Sequence, residues 1–235
     1  QAWFDGGRPG GGAAADITAR RVVHWIGHFS FFCASADDDF RRAFMAQIAA
    51  DAANLRRTLS LGQTGSSPLV VFKGVLWATL FLTGGLDGRR HFERWLGDAL
   101  AASFDANGGP IDRAPDSAAR ALADLIDIRQ AFRAAGHEEP EPVASAIEAA
   151  TAWVRMMRHG DGGLACFNGA AAMSGPDLDH LLTVADSKAR ALREAPDSGY
   201  MRLVGGRTVV VIDGGVGAVG AARSHAAPLA FEMSV

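Results

Sequence analysis

Lysine is nearly missing from this 235-residue sequence: only Lys73 and Lys188 stand beside 21 arginines. A compositional bias toward arginine and alanine accounts for this simply. The alternative is that guanidinium forks grip carboxylates or sulfates bidentately. With a net charge of only −3, no bulk attraction to nucleic acid or anionic membrane is indicated. The two cysteines, Cys33 and Cys166, lie far apart without metal-like spacing, so they establish neither a disulfide nor a compartment. No run of about 18 uninterrupted apolar residues occurs, which excludes a simple membrane span. The best stretch, Pro68 to Leu82, carries Lys73 and reads as a buried helix. Gln1 replaces an initiator Met, and Leu229 to Val235 alternates like a strand cut short. Both ends are expected to be interior points of a longer protein, so no targeting signal is read from them.

Helical periodicity fills most of the chain. A helix from Asp16 to Cys33 carries Val22, Trp25, Ile26, Phe29 and Phe32 on one face, with His24 and His28 at a metal-compatible i, i+4 spacing but no third ligand nearby. A second starts after Ser35-Ala-Asp-Asp-Asp and runs to a turn at Gly62–Gly65. The third, from Ser66-Ser67-Pro68 to Leu82, is apolar all round, as an inner helix is. Lys73 inside it either snorkels to a rim or points into a polar cavity. Further helices are expected over Arg89–Phe104, Pro115–Ala135, Ala144–Arg158 and Pro176–Ala189, with Pro140-Glu-Pro142 breaking the chain. After Pro196 the pattern changes to a β-hairpin, Tyr200–Val204 and Arg207–Asp213 around Gly205-Gly206. The change places a domain boundary near residue 197: helices over 1–196, antiparallel strands over 197–235.

Two loops combine chemistry-capable side chains with permissive backbone. One is Arg158-His-Gly-Asp-Gly-Gly-Leu-Ala-Cys-Phe-Asn-Gly169; the other runs from Asp105 to Pro115. Their Gly-Gly pairs begin at 108 and 162, 54 positions apart, which fits one helical hairpin and predicts that both loops emerge on one face. A third glycine-rich stretch, Gly215-x-Gly217-x-x-Gly220 after Thr208–Asp213, matches the dinucleotide fingerprint on paper. It lacks room for a following helix before Pro228 and an acid about 20 residues on, so it reads as a loop.

These loops, together with Asp197-Ser-Gly-Tyr-Met-Arg-Leu203 and Ser224-His-Ala-Ala-Pro-Leu-Ala-Phe-Glu-Met-Ser234, resemble the heparinase II/III-like polysaccharide lyases over nearly the whole chain. The resemblance implies an incomplete α/α toroid followed by the first strands of a β-sandwich. It implies β-elimination at a uronic acid, in which a His or Tyr base removes the C5 proton and a Tyr protonates the leaving oxygen. An acidic polysaccharide would be the partner, no cofactor would be required, and zinc could bind in the sandwich. The compartment implied is the periplasm or cell envelope. Carried over by position, His225 and His159 become catalytic candidates, with His225 also a zinc ligand. Asn168, Asp161, Arg113, Asp112, Lys73 and Arg223 become substrate-binding candidates. The pattern is incomplete: Pro110, Ser117 and Ala118 stand where catalytic members carry His, Tyr and His, and Ala227 replaces an acid. The alternative expectation is therefore a catalytically degenerate glycan-binding or scaffold protein of the same fold.

Overall fold

The computed structural model describes residues 15–62, 68–86, 88–215 and 230–235. It is mainly helical, with a small antiparallel sheet after the helices, as the periodicity predicts. Among the described residues there are eight helices: α1 (Ala15–Gly27), α2 (Phe29–Cys33), α3 (Asp38–Ser60), α4 (Pro68–Thr83), α5 (Arg89–Ser103), α6 (Pro115–Ala134), α7 (Glu141–Met156) and α8 (Gly175–Ala185). Four strands follow: β1 (Glu194–Ala195), β2 (Tyr200–Gly205), β3 (Thr208–Asp213) and β4 (Ala230–Ser234). No described helix is long and apolar enough to cross a membrane.

The chain forms two compact units: Gln1–Leu100 with Gln130–Glu138, and Ala101–Arg129 with Glu139–Val235. In the first, α4 is the inner helix. Leu69 to Leu76 and Ala78 are buried along every side of it, and α1 and α3 pack on it. The approach of α1 requires Gly74, where a Cβ would stand 2.7 Å from that of Ala19. Aromatic rings fill the space beside them, with Trp25 and Phe44 centroids 5.0 Å apart and Phe29 and Phe81 5.1 Å apart. The single helix expected over 16–33 breaks into α1 and α2 at His28, whose backbone turns to φ −110° and ψ 20°. His24 and His28 stay exposed with stacked rings 6.4 Å apart.

The second unit holds both glycine loops and the sheet. Its helix α7 begins inside Pro140-Glu-Pro142 rather than after it, because first-turn N–H groups have no intrahelical partner for proline to remove. Helix α8 is capped at Ser174, which accepts from the Asp177 N–H, and stops at Ala185, short of the expected Ala189. Asp186 turns left-handed at φ 49°, and the Arg129 guanidinium takes the last carbonyls, Val184 at 2.6 Å and Ala185 at 2.8 Å. The sheet order is β1-β2-β3-β4, all antiparallel. Since β3 is flanked by antiparallel strands on both sides, the glycines after it do not serve a parallel dinucleotide fold; Gly217 and Gly220 lie outside the described residues. Alternation along β3 buries Val209, Val211 and Asp213 on one face.

Candidate functional site

The two glycine loops close in the same way, 54 residues apart. In the first, the Asp105 N–H donates to the Gly109 carbonyl (2.8 Å) and the Gly108 N–H to the Asp105 carbonyl (3.1 Å). In the second, His159 N–H donates to Gly163 (2.8 Å) and Gly162 N–H to His159 (3.1 Å). Outside them, Ile111 N–H reaches Ser103 (3.2 Å) as Ala165 N–H reaches Met157 (2.9 Å). Gly108 and Gly162 supply the left-handed turns at φ 82° and 90°. Both loops meet the strand segment: Asn107 Oδ1 accepts from the Asp197 N–H at 2.9 Å, and the Gly160 N–H donates to Ser234 Oγ at 2.8 Å.

The first loop is set by its own acids. Asp105 Oδ1 accepts the N–H groups of Asn107 and Gly109, both at 2.8 Å, while burial pushes the carboxyl above the usual aspartate range. Asp112 accepts from the Ala114 N–H (3.0 Å) and the Ser117 hydroxyl (2.7 Å) at the start of α6. It thus anchors a helix start. Between them and Pro115, Arg113 is forced into φ 59° and turned inward, where it is buried.

Arg113 heads a buried polar cluster that joins both loops to the hairpin. Its Nε donates to the Ser198 carbonyl at 2.8 Å, its Nη2 pairs with the Asp213 carboxylate, and its guanidinium lies 5.2 Å over the Tyr200 ring. From the second loop comes Asn168, also left-handed at φ 54° and 8% exposed. Its amide donates to Tyr200 Oη (2.7 Å), Asp213 Oδ2 (3.2 Å) and the Arg113 carbonyl (3.3 Å). Tyr200 completes the ring by donating its hydroxyl to that carbonyl at 2.9 Å. Its ring packs edge-on to the fully buried Trp153, centroids 5.6 Å apart, and 5.4 Å from Phe167. Burial, and then the Asp213 charge, push the Tyr200 phenol far above its ordinary value. A phenol so held neither gives nor takes a proton near neutrality. The cluster balances one cation with one anion and keeps both from water, the arrangement of a structural joint.

His159 and Asp161 are also engaged. His159 Nε2 contacts Glu232 Oε2 of β4 at 3.0 Å, and the other oxygen of Glu232 accepts the Cys166 N–H at 2.9 Å. One carboxylate therefore fastens two points of the loop. Burial, followed by the charges of Glu232 and Asp116, raises the Cys166 thiol. Asp161 is exposed and accepts the Gly163 N–H at 2.9 Å, an Asx turn. Lys73 is buried within α4 of the other compact unit. Arg223 and His225, the latter the candidate base and zinc ligand, lie outside the described residues, as do Ser66, Ser67 and Ala227. Among the described residues, no group of three or more His, Cys, Asp or Glu side chains could hold a metal ion. Thus Arg113 and Asn168 come together, around Asp213 and Tyr200. The strand alternation carried a signal for this: Asp213 shares the inward face with Val209 and Val211, and a buried acid calls for a cation.

No protein-family model and no solved structure matches the chain. FtsZ-localized protein C of Caulobacter vibrioides (strain NA1000 / CB15N) is 33% identical over 141 residues, covering 57% of this chain and 24% of that protein. The match thus spans about a quarter of the curated relative's length. This likeness overturns the lyase expectation and its glycan-binding alternative: the similar protein is named for localisation to FtsZ, not for action on an acidic polysaccharide.

Proposed function

We propose that the protein to which this chain belongs localises with FtsZ. The observation that carries the reading is the 33% identity over 141 residues with a protein named for that localisation. On this reading the compartment is the one that holds FtsZ, whereas the family resemblance implies the periplasm or cell envelope. The resemblance to the heparinase II/III-like family then concerns architecture alone, supported by the paired glycine loops and the antiparallel strands that follow the helices.

The test is imaging of the full-length parent protein, fluorescently tagged, together with labelled FtsZ in the same cells. Coincident bands are expected. A tagged protein spread evenly through cells in which FtsZ is banded would refute the proposal. Size-exclusion chromatography of the purified 235-residue chain with purified FtsZ then shows whether this region makes the contact itself.

A further inference from the structure

We draw no further inference here: the strongest candidate, the exposed and stacked His24–His28 pair at the C-terminal end of α1, has no third metal-ligating side chain beside it among the described residues and so does not define a metal site.

Discussion

Tyr200 is the only tyrosine in the chain, so its ionisation can be followed without interference. It is 2% exposed, and burial and the Asp213 charge hold its phenol neutral well above the ordinary value of 10.0. The folded state thus keeps a proton that the unfolded state gives up near pH 10. Stability from this group is fully present below about pH 10 and falls above it, by about 1.4 kcal/mol for each further pH unit. Spectrophotometric titration at the tyrosinate band should show no transition near pH 10 while the fold is intact. Absorbance should rise only together with loss of circular dichroism. Tyr200→Phe removes this alkaline slope and should cost about 1–3 kcal/mol at neutral pH. It deletes the acceptor of the Asn168 amide and one donor to the Arg113 carbonyl, although both groups keep other partners. Tyr200→Ala also loses the contacts to Trp153, Phe167 and Arg113 and should cost about 3–5 kcal/mol. A tyrosinate transition at pH 10 in a chain with unchanged circular dichroism would refute the buried placement and the reasoning built on it.

Arg113→Ala should destabilise by about 3–5 kcal/mol in urea titration, because Asp213 is left charged and buried; Arg113→Met with Asp213→Leu should cost less than Arg113→Ala alone. Strict additivity would show that the two groups do not form a coupled pair. The paired loops give an internal comparison. Gly108→Ala places a Cβ 2.5 Å from the Ala149 main chain, whereas at Gly162 the nearest atom is the end of the Arg158 side chain at 3.2 Å and the nearest main chain, Gly175, is at an ordinary 3.5 Å. Both carry left-handed strain of about 1–3 kcal/mol. Gly108→Ala should be worse by at least about 1 kcal/mol in thermal or urea unfolding, and equal costs would contradict the close approach of α7.

The helices were legible because burial follows periodicity: Phe44, Ile48, Leu55 and Leu59 repeat on one face of α3 and are all buried. The glycine loops were legible because left-handed turns need glycine at fixed positions. The break at His28 and the early stop of α8 were not, since Arg129 supplies the latter's cap from 55 and 56 residues away. β1 is two residues long and too short to show alternation. The partners of the candidate residues were hidden for a related reason. His159, Arg113 and Asn168 look unassigned in the sequence, whereas their partners Glu232, Asp213 and Tyr200 sit inside strands that read as ordinary alternating segments. Arg113 and Asn168 also adopt left-handed backbones that no local rule assigns to arginine, and that asparagine adopts only at times.

The Arg113–Asp213 pair has a consequence for synthesis. Its members lie 100 residues apart, and ribosomes add roughly 5–20 residues per second. For roughly 5–20 s after Arg113 leaves the exit tunnel, its guanidinium therefore has no Asp213 to meet. Helices α6 and α7 and the second loop emerge during that interval, but the second unit cannot desolvate its central cation until β3 is made. Until then the guanidinium stays hydrated, and the emergence of β3 is what lets the cluster close.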